Sequence, residues 1–234
     1  MTSVISLLIV LISLSFLSGG YFISSSFYYK KHDVKYSFKR MFPYEFNYPN
    51  AFKNNIYGNI AFVIALVGMC AFYIYATSFS NKAEVSLIVL SIAAVAQAGF
   101  IACLFFMPLQ FLRTHMILST LAMVFAFAIP ALECCYIYPY FNNMVGNEKI
   151  IYLVAFIIGV VISLTMLIFL LNPKATYKIY LDKTVDKDGN EVFARPKFIP
   201  VAFNEWWAII TFFISPLPFI IISFIRWKII SLSS

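Results

Sequence analysis

"HMILSTLAMVFAFAIPALECCYIY", residues 115–138, contains one carboxylate, Glu133, and one histidine, His115, in an otherwise largely apolar run. Apolar stretches of about 18 residues or more read as membrane-spanning helices, because ~20 residues at ~1.5 Å rise cross a hydrocarbon core ~30 Å thick. Five further stretches read the same way, at about 4–26, 56–79, 85–107, 150–171 and 205–227. The expected fold class is therefore all-α: residues 1–234 form one polytopic domain, a bundle of six transmembrane helices.

Composition agrees with that expectation. The chain is 62% apolar and 12% charged, whereas a soluble domain carries roughly a quarter of its residues as charges. Only the connections at about 27–55 and 172–204 are long enough to hold structure of their own, which leaves no room for a soluble catalytic domain. The first span is not read as a signal peptide, since no Lys or Arg precedes it. All four cysteines fall inside spans, so no disulfide framework is expected. Neither His32 nor His115 stands at ligand spacing from a cysteine, and no metal or cofactor is expected.

Positive charge is distributed unevenly. Of seventeen Lys and Arg, thirteen lie in the odd-numbered connections, and the bias of cationic loops towards the cytoplasm places both long connections there. The first of them, "SFYYKKHDVKYSFKRMFPYEFNYPNAFKNN" (26–55), interleaves rings with cations. Lys30, Lys31, Lys35, Lys39 and Arg40 are expected to contact anionic lipid headgroups; a solvated loop that is basic only to fix topology is the alternative. Nucleic acid is not an expected partner. The second connection holds "YKIYLDKTVDKDGNEVFARPKF" (177–198), where alternating apolar residues flank a turn-forming Asp188-Gly189, so a small cytoplasmic β-hairpin is expected. A calcium loop is excluded, because alignment on Gly189 puts Arg195 where the last acidic ligand belongs.

Small residues mark where helices meet, since lipid tails give helices no hydrophobic reason to associate. Ala61 and Ala65, then Ala94, Ala98 and Ala102, then Ala155, Gly159 and Ser163 recur at four-residue spacing. "SPLP" (215–218) is expected to kink the last span. Trp206 and Trp207 at one end and Trp227 at the other frame that span, Asn204 reads as its N-cap, and Glu84 and Glu205 read as first-turn carboxylates.

In the fourth span, residues 18 apart complete five turns, so His115 and Glu133 share one face with Ser119, Ala122 and Ala126. That face is expected to look into the bundle. Three uses of it are open. Glu133 and His115 sit near opposite membrane boundaries, where they stay hydrated; they make a structural hydrogen bond or ion pair to another span; or, with Ser119 and Gln97, they line a path for a proton or cation. No catalytic residues are expected, for the chain shows no "HExxH", no Gly-flanked serine and no His–Asp cluster.

The block "LSIAAVAQAGFIACLFFMPLQFLRTHMILSTLAMVFAF" (90–127), with its histidine opening the fourth span, and "NEWW" (204–207), opening the last, resemble the Frag1/DRAM/Sfk1 group of small six-span membrane proteins. On that resemblance His115, Glu205 and Trp206 are the matching positions. It implies roles centred on membrane lipids and no common catalytic chemistry. It also implies cytoplasmic termini, contrary to the charge-based topology, and the group's usual first-connection motif is missing. The resulting expectation is a non-enzymatic, multi-pass membrane protein that interacts with or organises membrane lipids, alone or as a subunit beside membrane-protein partners. A small proton- or cation-coupled transporter is the alternative, and a membrane-embedded enzyme a distant third. The abundance of Ile, Lys, Asn and Phe suggests an AT-rich genome and a bacterial cytoplasmic membrane, with a eukaryotic plasma membrane or endomembrane as the alternative.

Overall fold

Among the described residues, six helical spans are long and apolar enough to cross a membrane. The helices are α1 (Thr2–His32), α2 (Ile56–Ser78), α3 (Val85–Phe106), α4 (Leu112–Asn143), α5 (Asn147–Leu170) and α6 (Pro200–Ile214), the last continuing past a break to complete the span Pro200–Ile222. The computed structural model describes residues 2–47, 53, 55–78, 85–107, 109–143, 145–172, 182–185 and 191–222. Between α5 and α6, β1 (Asp182–Val185) pairs antiparallel with β2 (Glu191–Ala194), Asp182 opposite Ala194. The Asp188-Gly189 turn between them lies outside the described residues, as do Glu84 and Trp227.

Sequential helices pack side by side, and α6 returns against α4, α3, α5 and α1. The outer face is apolar: Leu8, Ile12, Phe22, Val67, Ile92, Val161 and Ile168 are all exposed, as side chains meeting acyl chains are. The interior is built from Met69 and Phe72 of α2, Ala94 and Ile101 of α3, Ile129 of α4, and Ile209 and Phe212 of α6.

Small residues bring the backbones close. A Cβ on Gly58 would collide with Ser24 Oγ, and one on Gly68 with Ser13 Oγ, so both glycines let α1 lie against α2. On the other side, Ala155 is fully buried and Ser163 Oγ donates to Phe127 O of α4 at 3.1 Å. A Cβ on Gly159 would stand 2.6 Å from Cys134 Sγ, so the Ala155-Gly159-Ser163 stripe is the α4–α5 seam.

Three expectations about α6 change. The helix starts at Pro200, a residue pre-set for a first helical position. Asn204 is therefore no N-cap, and its side chain instead donates to Phe169 O at the end of α5. Glu205 lies in the second turn, beyond the dipole's terminal charge. Trp206 is 4% exposed and turns inward, away from any interfacial belt. The kink falls where the prolines predict it: α6 stops at Ile214, turns at Ser215 and Pro216, and resumes as helix over 217–222.

The first long connection folds inward as well. After Asp33 closes α1 in a left-handed conformation (φ 53°), the chain enters the bundle, and Pro43–Phe46 makes one buried 3₁₀ turn. Met41, Phe42 and Phe46 are each no more than 3% exposed. Lys35 and Lys39 stay outside. The connection is thus an aromatic plug with a basic rim, neither a loop in water nor a strip lying wholly on lipid.

Candidate functional site

Three polar features stand out, two at the end of the bundle where the long connections lie. There, His115 of α4 and Glu205 of α6 meet with Nε2 and Oε1 2.9 Å apart, both side chains fully buried. The other ring nitrogen, Nδ1, is 2.7 Å from Met107 O. A carbonyl only accepts, so Nδ1 carries a proton. Nε2 of the neutral ring would then be an acceptor facing a carboxylate, also an acceptor. One proton must therefore lie between His115 and Glu205, on one or the other. Ser119 is buried on the same face, with its hydroxyl beside the Glu205 carboxylate.

The aromatic plug covers this pair. Phe42 and Tyr44 stand edge-on to the His115 ring, with centroids 6.0 and 5.6 Å away. The plug is fastened by Glu45, whose Oε1 accepts from the Phe42 backbone N–H at 2.7 Å. Arg195, just after β2, grips Glu45 with both guanidinium nitrogens at 2.7 and 2.8 Å. Burial works against the charged guanidinium, yet Glu45 outweighs it, and the pKa of Arg195 lies above its ordinary value. Trp206 Nε1 donates to Met41 O at 3.0 Å and to Tyr36 Oη at 3.1 Å, and Tyr36 Oη donates to Phe42 O at 2.8 Å. Burial, followed by the nearby Glu45 charge, pushes the Tyr36 phenol well above its usual range. Ile199 N–H donates to Lys39 O at 2.9 Å, which joins the two long connections directly.

Towards the opposite end, Glu133 of α4 is fully buried. This overturns the expectation that it reaches the interface and stays hydrated. Tyr73 Oη of α2 lies 2.8 Å from Glu133 Oε1 and 2.6 Å from Ser215 Oγ of the α6 break, and Ser215 Oγ donates to Phe212 O at 3.0 Å. Phe212 O is the carbonyl that Pro216, having no N–H, leaves without its helical partner. The cluster mends that defect.

His115 and Glu133 do share the inward face of α4 with Ser119, Ala122 and Ala126, all buried, yet they belong to separate clusters. Buried Gln97 joins neither, and both its amide atoms lack a hydrogen bond among the described residues. The arrangement is not a nucleophile–His–acid relay, since His115 spends both nitrogens on Met107 O and Glu205. Among the described residues no three His, Cys, Asp or Glu side chains gather as metal ligands do.

The third feature is a groove of about 480 Å³ between the end of α1 and the start of α2, lined by Lys30, Lys31, His32, Lys53, Asn55 and Tyr57 among others. Asn55 Nδ2 reaches Asn47 and Asn59, and Asn47 Nδ2 donates to Phe105 O at 3.0 Å, so α2, the plug and α3 share one floor.

Of the participating residues, Tyr36, Glu45, Tyr73, Arg195 and Ser215 escape sequence reasoning. Glu45 had a signal, for it is the sole acid between Asp33 and Glu84 in a strongly basic stretch. Comparisons with family models, with curated proteins and with solved structures return no match.

Proposed function

We propose that this chain is a non-enzymatic membrane protein that associates with anionic lipids through the basic end of its bundle. The carrying observation is the clustering of cations there. Among the described residues, Lys30, Lys31, Lys35, Lys39, Arg40, Lys53, Arg113 and Lys197 stand where α1 and α3 end and where α2, α4 and α6 begin; Lys149 stands at the other end. Each Lys or Arg near an anionic surface contributes about 1 kcal/mol of attraction. That end faces the cytoplasm in this reading, by the same charge bias. The resemblance to the Frag1/DRAM/Sfk1 group supports a lipid role, and two of its three matching positions, His115 and Glu205, are partners in one buried pair.

Spin-labelled lipids in reconstituted vesicles test the reading. Phosphatidylserine should occupy the protein-contacting shell in preference to phosphatidylcholine, and the preference should fade in high salt and in a Lys35→Gln/Lys39→Gln/Arg40→Gln variant. Equal association of the two lipids at low salt would remove it.

A proton- or cation-coupled transporter is the second reading. It is favoured by buried polar atoms on Gln97 and Glu133 that have no hydrogen bond among the described residues. It stands second because Ile101, Ala122, Ala126, Ile129 and Phe212, all buried, fill the bundle between the two clusters. Unaltered flux in a Glu133→Gln proteoliposome would rule that residue out of any such path.

A further inference from the structure

The geometry points to the cleft between α1 and α6 as the seat of one acyl chain of a bound anionic lipid, whose headgroup Lys39 and Arg40 hold. This deepens the anionic-lipid reading and rests on it. The cleft, of about 270 Å³, runs between Leu17, Tyr21 and Phe22 of α1 and Trp206, Ile209 and Ile210 of α6. Ile209 is fully buried and Phe22 is 68% exposed, so the cleft starts in the core and opens on the outer face. Two of its polar groups are already spent. Trp206 Nε1 donates to Met41 O and Tyr36 Oη, and Ser18 Oγ, also on the lining, donates to Leu14 O at 2.8 Å. Neither has a donor left for a ligand, and no charged side chain lines the cleft, so it fits hydrocarbon.

Depth and width choose among apolar occupants. Ile210 lies ten residues into α6, ~15 Å from its start. That is half of a ~30 Å hydrocarbon core, the reach of one leaflet's acyl chain. The Tyr21 and Trp206 rings meet edge-to-face with centroids 5.5 Å apart, too close to admit between them a helix ~10–12 Å across. Charge at the outer end selects the headgroup. Phe38 lines the cleft from a turn in which the N–H groups of Arg40 and Met41 both donate to Ser37 O. Phe38 also stacks on Phe203 of α6 at 6.2 Å, which fixes the turn to the cleft wall. One turn thereby sets a ring against the chain and two cations, Lys39 and Arg40, beside the headgroup.

The test uses the full chain carrying Trp207→Phe and Trp227→Phe, which leaves Trp206 as the sole indole. In reconstituted vesicles, a lipid brominated in the headgroup half of one acyl chain quenches an indole that it touches. Half-maximal quenching of Trp206 should need roughly fivefold less brominated phosphatidylserine than brominated phosphatidylcholine. Lys39→Gln/Arg40→Gln should bring the two half-points together. Ser18→Phe/Ile210→Phe, which fills the cleft, should reduce quenching by either lipid severalfold while the serine-over-choline preference of the surrounding shell persists. Equal half-points in the Trp206-only protein, with that shell preference intact, would remove this inference alone; loss of the shell preference would remove the reading beneath it. Unchanged quenching in the filled variant overturns the seat by putting the chain elsewhere. Absence of quenching by either lipid overturns it too, since protein, such as a second copy, would then cover the cleft.

Discussion

Tyr73 and Glu133, on α2 and α4, share a 2.8 Å hydrogen bond beside the point where α6 breaks. Three contacts run from Glu133 through Tyr73 and Ser215 to Phe212 O, and the two hydroxyls supply only two protons. A proton on Glu133 lets the chain run in one direction with every contact satisfied. An ionised carboxylate here would also be costly, because Glu133 is fully buried within the bundle. Glu133→Gln, whose amide can donate to Tyr73, should therefore unfold within about 1 kcal/mol of the unmodified protein. Glu133→Ala and Tyr73→Phe should each cost about 1–3 kcal/mol, since they strand buried partners. Denaturation in mixed micelles decides it, and a Gln variant as damaged as the Ala variant would show that charge, not the proton, is what the site needs.

The His115–Glu205 pair makes a spectroscopic prediction. Because Met107 O accepts from Nδ1, that nitrogen should remain protonated across pH 5–8 whichever partner holds the shared proton. Nitrogen-15 shifts of His115 read this directly. A neutral ring with its proton on Nε2 alone would contradict the pairing. Glu205→Leu should leave Nε2 unpaired in the core and lower stability by about 1–3 kcal/mol.

The plug predicts an alkaline limit. Tyr36 holds its proton above the ordinary phenol value of 10.0 because burial disfavours the phenolate. A group whose pKa is higher folded than unfolded stabilises fully below its unfolded pKa, and that stability drains away as pH climbs through the folded value. Unfolding should accelerate as pH rises past ~10, with a shallower rise in Tyr36→Phe. Rates measured over pH 8–12 with no difference between the two proteins would discount Tyr36 as the titrating group.

Sequence patterns carried the architecture further than the clusters. Six apolar stretches and four-residue spacing of small side chains express periodicities of about 20 and 3.6 residues, which lie within one segment. The inward face of α4 was legible for the same reason, since His115, Ser119, Ala122, Ala126 and Glu133 follow one helical line. The pairs were not. His115 finds Glu205 at a separation of 90 residues, and Glu45 finds Arg195 at 150. Such contacts depend on how helices rotate and on a connection folding inward, and no local periodicity encodes either. Glu133 stands only a few residues from the end of its span, as expected, and its burial comes from α2 and α6, whose Tyr73 and Ser215 close over it.

Glycines in this bundle separate packing from backbone propensity. Gly58 and Gly68 face Ser24 and Ser13 across the α1–α2 seam, whereas nothing lies within 4 Å of a Cβ added to Gly99 in α3. Every Gly→Val change in a helix alters local propensity by a few tenths of a kcal/mol, usually favourably. Only at the seam must a helix also move. Gly68→Val should therefore destabilise by about 1–3 kcal/mol through overpacking, while Gly99→Val should be neutral or slightly stabilising. Gly68→Ala paired with Ser13→Gly should recover part of the loss of Gly68→Ala alone, because the colliding atom is Ser13 Oγ. A double-mutant cycle on melting temperature measures that recovery. Equal penalties for Gly68→Val and Gly99→Val would mean that α1 does not rest on α2 through these residues.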